Sequence, residues 1–192
     1  MHQLAKFVSV ILHPLVVIPA TLFSLSYLST QNLSGSLLLV FITGSVFVMP
    51  TFFYILYNQK TGKFSNFDVS ERTQRDSLYV FLLILLLLLL GVLKYLNLSG
   101  LPRLSLAAAL FTLVISFFIN KYFAKVSLHT AIIVGSCCIS IFISIYTSIV
   151  LFFLALCVSW SRVFLKRHSG LEVVLGWLVA VTSVAISFYL FG

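Results

Sequence analysis

The feature that most constrains this fold is a series of long apolar runs separated by short polar segments. A helix needs about 20 apolar residues to cross the hydrocarbon core of a bilayer, and its lipid-facing backbone groups must be hydrogen-bonded within the segment. Four runs meet that length, and a fifth is slightly shorter but can extend through Pro102 at its start: residues 7–28, 37–57, 78–96, 173–191 and 104–119. These five runs predict transmembrane helices.

The apolar segment 130–162 allows two interpretations. As a single helix it would be about 50 Å long and would overshoot the bilayer core. As a hairpin that turns near residues 144–148, its most polar part, it forms two short helices. The hairpin, which we favour, gives seven spans, and one tilted helix gives six. Both predict an all-α, polytopic transmembrane bundle of six or seven spans that forms a single integral membrane domain over residues 1–192.

Composition excludes the soluble classes of protein. The 192 residues are 61% apolar and only 8% charged, whereas soluble domains contain about 25% charged residues. A net charge of +8 would suggest nucleic-acid binding in a soluble protein. Here the basic residues lie at the ends of spans, where such side chains anchor at headgroups or bind an anionic lipid. We therefore expect a lipid bilayer and no nucleic acid as partner, with the oligomeric state left open.

Polar side chains within the spans favour packing roles. His13-Pro14 and Pro19 are expected to kink the first span, with His13 bonding to a neighbouring helix. The three cysteines contain no CxxC pair, and the adjacent Cys137 and Cys138 point to different sides of a helix, so no cysteine metal site is expected.

The charged residues are distributed unequally between the two faces of a seven-span bundle. Lys94 and Arg103 lie on one face, and all the acids, together with His129 and His168, lie on the other. That second face also carries the remaining ten of the 12 basic residues: Lys6, Lys60, Lys63, Arg72, Arg75, Lys121, Lys125, Arg162, Lys166 and Arg167. The chemistry of the protein is therefore expected on this face, which the positive-inside rule places in the cytoplasm.

Three polar segments of the basic face contain residue types suited to phosphate chemistry. An imidazole can attack phosphorus if a carboxylate holds its tautomer, and Glu172 follows His168 at the i+4 spacing that puts two side chains on one helical face. Arg162 offers a guanidinium fork for phosphate oxygens, and Ser127 precedes a helix start, where further donors are available. A second histidine, His129, can protonate the leaving oxygen.

The third segment resembles the signature of the type 2 phosphatidic acid phosphatase superfamily, which also includes the vanadium haloperoxidases. The family pattern is Ser-Arg, five residues, His, three residues, Asp. Ser161-Arg162, His168 and Glu172 match it, with Glu in place of Asp. The second family motif, Pro-Ser-Gly-His, is similar to the sequence from Val126 to His129, which keeps Ser127 and His129 but lacks the Pro and the Gly.

The first family motif, Lys, six residues, Arg-Pro, is matched least well. Arg75 takes the place of the Arg, Asp76 replaces the Pro, and Asp68 occupies the Lys position. Arg72 or Lys125 supplies the missing cation in this comparison, and the sequence does not distinguish between them. The resemblance covers about residues 68–173, a little over half of the chain.

The resemblance implies a metal-free phosphohydrolase without a cofactor. His168 would be the nucleophile that forms a phosphohistidine, oriented by Glu172, with His129 as the general acid. The phosphate would be bound by the remaining motif residues and two helpers: Arg75, Ser127, Arg162, Arg72 and Lys125. The absence of a metal also agrees with the residues themselves, because two-metal sites need clustered carboxylates and the acids here alternate with arginines.

The site at the membrane surface favours an amphiphilic substrate, either a lipid phosphate monoester or a polyprenyl diphosphate. The expected location is the bacterial cytoplasmic (inner) membrane. Relatives in the superfamily commonly act on its outer face, opposite to the charge bias, so the face of the active site stays undecided. The alternative function is a non-enzymatic scaffold or a transporter with a degenerate phosphate site, although transporters usually place ionisable groups near the membrane midplane.

Overall fold

The computed structural model describes residues 1–98 and 100–192, and these residues form α-helices and connecting segments without a β-strand. The all-α prediction is thus confirmed. A π-helical segment, Gly44–Val48, joins two of the α-helices into one continuous helix, Leu33–Lys60. The α-helices are α1 (His2–Ile11), α2 (Pro14–Thr30), α3 (Leu33–Thr43), α4 (Met49–Lys60), α5 (Arg75–Tyr95), α6 (Gly100–Tyr122), α7 (Leu128–Ser140), α8 (Ile145–Phe164) and α9 (Gly170–Phe191).

Long apolar helices dominate the described part of the chain. Five of them are long and apolar enough to cross a membrane: Leu33–Lys60, α5, α6, α8 and α9. Helices α1 and α2 make a sixth if they are counted as one span, with a bend of 49° between them. These lengths and compositions indicate an integral membrane protein.

The segment 130–162 is divided into two helices. α7 has 13 residues and α8 has 20, and the turn between them covers residues 141–144, slightly before the predicted turn. A 13-residue helix is about 20 Å long, which is less than the thickness of the hydrocarbon core. α7 is therefore shorter than the five helices that are long enough to cross a membrane.

The first apolar run is broken at His13-Pro14. Pro14 is the first residue of α2, where its missing N–H is tolerated. His13 caps this helix, because its Nδ1 accepts a hydrogen bond of 3.2 Å from the backbone N–H of Leu15. Pro19 lies inside α2 without ending it. The expected kink is therefore a helix break, which leaves the His13 side chain at the start of α2.

The short helix α7 lies in the centre of the bundle, where it packs against α2, α6, α8 and α9. Gly176 of α9 allows a close approach between α9 and α7. A Cβ atom there would lie 2.8 Å from the backbone oxygen of Ser127 and 3.3 Å from the Cβ of Thr130. The absence of a side chain at residue 176 thus sets the distance between the first turns of α7 and α9.

We expect Gly176→Ala to lower the free energy of unfolding by about 1–3 kcal/mol, because the new methyl group would force α9 away from the backbone of α7. Thermal unfolding in detergent would measure the change. Gly91→Ala in α5 is the matched control, since nothing lies within 4 Å of a Cβ at that glycine. Equal melting temperatures for the two variants would contradict this account of the α7–α9 contact.

Candidate active site

His168 and Glu172 form a hydrogen-bonded pair at the start of α9. Glu172 Oε2 lies 2.8 Å from His168 Nδ1 and also accepts a hydrogen bond of 3.3 Å from the backbone N–H of Ser169. Ser169 in turn accepts from the backbone N–H of Glu172, which completes a capping box. The local sequence that begins the helix therefore also holds the carboxylate against the imidazole.

The second nitrogen of His168 faces a guanidinium. Arg75 Nη2 lies 3.3 Å from His168 Nε2, and an arginine can only donate. Nε2 is therefore the acceptor, and the ring proton resides on Nδ1, where it is donated to Glu172. This tautomer leaves the Nε2 lone pair on the side of the ring that faces Arg75.

The buried surroundings of His168 favour the neutral imidazole. Its side chain lies in the segment between α8 and α9. Burial, followed by the positive charges of Arg75, Arg162 and Lys125, lowers the pKa of His168 from 6.5 to about 2. A neutral ring with an unprotonated Nε2 is the form that can act as a nucleophile.

Arg75 joins three polar segments at this end of the bundle. It is the first residue of α5 and is 4% exposed. Its Nε donates to the carbonyl of Val69 and its Nη1 to the carbonyl of Val126, both at 2.8 Å. With Nη2 on His168, this one side chain holds the loop 61–74, the segment 123–127 and the α8–α9 turn together.

Arg162 is fully buried in the last turn of α8. Its Nη1 donates to Ser9 Oγ in α1 and to Asp68 Oδ2, each at 2.8 Å. The Nε and Nη2 atoms have no hydrogen-bond partner among the described residues. A buried guanidinium with two unused donors is suited to binding the oxygens of an anion.

Ser127 and His129 lie at the start of α7. The backbone N–H of Ser127 donates to the carbonyl of Glu172 at 3.1 Å, and its hydroxyl lies 3.0 Å from that of Thr130. His129 is 6% exposed, and its Nε2 has no hydrogen-bond partner among the described residues. The nearest carboxylate oxygen to this nitrogen is Asp68 Oδ1, at 3.8 Å.

The two remaining predicted cations have different positions. Lys125 Nζ lies 3.6 Å from Glu172 Oε2 and donates to the carbonyl of Ser70, so it borders the site. Arg72 donates instead to the carbonyls of Asn120 and Lys121, at 2.6 and 3.0 Å. Its guanidinium thus caps the carboxyl end of α6 and is not joined to the other predicted site residues by a hydrogen bond.

Sequence reasoning did not include Asp68 and His13 among the site residues. Asp68 lies near four basic or imidazole groups, and the His13 ring packs edge-on against that of His129 with centroids 4.7 Å apart. The sequence feature that could have identified Asp68 was its position, because it stands where the first family motif has a lysine. No local pattern linked His13 to His129, which is more than 100 residues away in the chain.

Three side chains of the kinds that bind metal ions lie close to one another. The ligand atoms of His13, Asp68 and His129 lie within 4.8 Å of one another. The surroundings do not suit a cation, because Arg162 is hydrogen-bonded to Asp68. In addition, Nδ1 of His13 accepts from Leu15, which leaves the proton on Nε2, the nitrogen that faces Asp68. A metal ion would have to displace that proton.

An apolar cavity of about 100 Å³ lies directly below the site, within the bundle. Its polar end is formed by Asp68, Arg75 and His129. Its walls come from α2, the π-helical segment, α4, α5, α6 and α7, and they include Phe47, Ile55, Leu82, Leu86 and Leu89. The site therefore combines charged groups at the helix ends with an apolar space that extends toward the membrane interior.

No protein-family model, curated protein or solved structure matches this chain. The interpretation of the site therefore rests on its own geometry and on the motifs in the sequence.

We expect the His168 ring to remain neutral from about pH 8 down to about pH 5, because its lowered pKa favours loss of the proton. ¹⁵N NMR of histidine-labelled protein should show a protonated Nδ1 and an unprotonated Nε2 throughout that range. The spectrum of His168→Gln would assign the signals. Conversion of both nitrogens to the protonated form between about pH 7 and about pH 5 would contradict the prediction.

Proposed function

We propose that this chain is a membrane-embedded phosphohydrolase that cleaves a lipid phosphate monoester or a polyprenyl diphosphate through a phosphohistidine, without a metal. The observation that carries the proposal is the arrangement of His168, whose Nδ1 donates to Glu172 while Nε2 faces Arg75. This is the tautomer that a phosphorus-attacking imidazole requires. The motif resemblance points to the same residue.

In the first step, Arg75 moves its hydrogen bond from Nε2 of His168 to a phosphate oxygen. Nε2 then attacks phosphorus, and the bond between phosphorus and the leaving oxygen breaks. The positive charge that forms on the imidazole is balanced by Glu172. His129 donates a proton to the leaving oxygen. Its Nε2 has no hydrogen-bond partner among the described residues, and the nearest carboxylate oxygen is Asp68 Oδ1, at 3.8 Å.

In the second step, a water molecule attacks the phosphohistidine. His129 takes the proton of that water, and the bond between phosphorus and Nε2 breaks. Phosphate leaves, and His168 returns to its neutral form with its proton still on Nδ1. Atoms and charges balance in this sequence without a metal ion.

Buried donors would bind the phosphate oxygens. Arg75 lies next to the attacking nitrogen, and Arg162 contributes its Nε and Nη2 atoms, which have no partner in the described structure. Ser127 and Lys125 border the same space from the segment that leads into α7. In this proposal Arg72 positions the loop 61–74 on α6, and Lys125 is the helper cation.

The cavity below the site supports an amphiphilic substrate. Its apolar walls would hold part of a lipid chain, while Arg75 and His129 at its polar end would meet the phosphate. A water-soluble sugar phosphate would leave these walls without a partner. The proposed location is the bacterial cytoplasmic membrane.

The proposed topology has seven crossings, with α1 and α2 as one bent span and α7 as a short one. α6 and α8 both end beside the loop 61–74, since Asn120 accepts from Arg72 and Arg162 donates to Asp68. The proposal counts α7 as a crossing because the chain leaves this end of the bundle in α7 and returns to it in α8. The non-helical segment 123–127 and the turn at 141–144 add the length that α7 lacks.

The direct test is phosphate release from a panel of lipid phosphates and diphosphates in detergent with EDTA. Release should be abolished in His168→Gln, which removes the nucleophile, and lowered about 10²- to 10⁴-fold in His129→Gln, which removes the general acid. His2→Gln is the matched control, because His2 is exposed at the start of α1. An acid-labile phosphoenzyme should form in the wild type and not in His168→Gln.

Equal release by the wild type and His168→Gln would contradict the proposal. Absence of release from every lipid phosphate by well-folded wild-type protein would also contradict it and would favour the scaffold or transporter alternative. Comparison of melting temperatures would separate loss of activity from loss of folding.

Filling the cavity should affect long-chain substrates selectively. We expect Ile55→Trp to lower kcat/KM about tenfold or more for a long-chain lipid phosphate, because the larger ring would occupy the cavity. Hydrolysis of p-nitrophenyl phosphate should change little. Phe53→Trp on the exposed side of α4 is the matched control. Equal losses with both substrates would contradict a chain-binding role for this cavity.

A further inference from the structure

Asp68 is surrounded by groups that attract an anion. Its Oδ2 accepts a hydrogen bond of 2.8 Å from Arg162 Nη1 and lies 3.8 Å from Nε of Arg167. Its Oδ1 lies 3.8 Å from Nε2 of His129 and 4.0 Å from Nε2 of His13. The carboxylate therefore stands among groups that would otherwise be available to a bound phosphate, Arg162 and His129 above all.

From these contacts we propose that Asp68 is a specificity residue, which makes the site select phosphate groups with a single negative charge. This inference rests on the proposed function and narrows its substrate class. The inference favours a singly protonated phosphate monoester over a fully ionised monoester or a diphosphate.

Most of the charged groups around the site are paired with a group of opposite charge. Asp68 neutralises Arg162, and Lys125 lies 3.6 Å from Glu172. Arg75 has no carboxylate within ion-pair distance in the described structure, and its partners are two carbonyls and a neutral imidazole. Arg75 thus provides one buried positive charge that is not already balanced, which matches one negative charge on a ligand.

The two other cations near the site, Arg167 and Lys125, are more exposed to solvent than Arg75 and Arg162. The Arg167 side chain is 38% exposed and the Lys125 side chain 24% exposed, so water and salt screen both more strongly than the buried guanidiniums. A second negative charge on the phosphate would therefore be opposed by the half-buried Asp68 at close range. Two like charges in a buried site repel strongly, because little water lies between them to screen the interaction.

The position of Asp68 explains why the repulsion cannot be relieved easily. The loop 61–74 that carries it is fixed by Arg75 on Val69 and by Lys125 on Ser70. Val69, the next residue, is fully buried. The carboxylate is thus held at the site by its own loop.

The test compares two probes that differ in charge and little else. Decyl phosphate is largely a dianion at about pH 8, and decyl methyl phosphate is a monoanion. Dissociation constants would be measured by calorimetry in detergent with His168→Gln protein, which cannot consume the probes. Asp68→Asn keeps the shape of the side chain and removes its charge. Asp76→Asn is the matched control, because that carboxylate accepts from Asn120 and is not among the groups around Asp68.

We expect Asp68→Asn to bind the dianion at least about tenfold more tightly and to change binding of the monoanion by less than about threefold. Asp76→Asn should alter neither value by more than about threefold. Equal changes for both probes in Asp68→Asn, or no change for either, would overturn the inference.

Two further outcomes keep the test decisive. If Asp68→Asn fails to fold, the dissociation constants of the two probes are compared in His168→Gln protein that retains Asp68. Binding of the dianion at least about tenfold more tightly than the monoanion would then overturn the inference. Binding of neither probe would overturn the proposed phosphate site together with this inference. Hydrolysis by the wild type without any preference for the singly charged group would overturn the inference and leave the proposed function standing.

Discussion

Buried positive charge at one end of an apolar bundle is the constraint on which the rest of this structure depends. A guanidinium taken out of water is costly unless its donors find partners. Arg75 meets this requirement with the carbonyls of Val69 and Val126 and with Nε2 of His168. Because these partners belong to three separate polar segments, satisfying one side chain brings the segments together.

At the start of α9, too, one side chain serves both the fold and the site. A helix needs groups that satisfy the free N–H donors of its first turn, and the Ser169–Glu172 capping box supplies them. Glu172 also accepts from His168, so the interaction that begins the helix fixes the imidazole tautomer. Gly176, one turn further, lets α7 approach closely enough for the Ser127 N–H to reach the Glu172 carbonyl. Helix packing and site geometry are therefore set by the same few contacts.

Asp68 changes the electrostatic character of this end of the bundle. Without it, Arg75 and Arg162 would both be buried cations without a carboxylate partner in the described structure. With it, Arg162 is paired and Arg75 is left as the buried cation without a carboxylate partner in the described structure. A site built in this way would recognise phosphate by fixed donors and by a limited positive charge. The apolar cavity below it would contribute binding of the chain attached to that phosphate.

The sequence by itself determined the features that depend on local pattern. Apolar runs of about 20 residues predicted the long helices, and the i+4 spacing of His168 and Glu172 predicted a pair that the structure brings to 2.8 Å. The segment 130–162 was also divided correctly into two helices, although α7 is only 13 residues long. These features follow from helix geometry and from the cost of unsatisfied backbone groups in lipid, which act over a few residues.

Only the tertiary structure decided which charged groups meet. Arg72 and Arg75 are three residues apart, yet one binds the end of α6 and the other faces His168. The approach of His13 and Asp68 to His129 joins segments that are far apart in the chain. Such partners depend on how the helices pack and on which loop carbonyls they leave free, and an apolar pattern of Leu, Ile and Phe does not encode that choice. Local pattern therefore determined the helices and the candidate residues, and packing decided their roles.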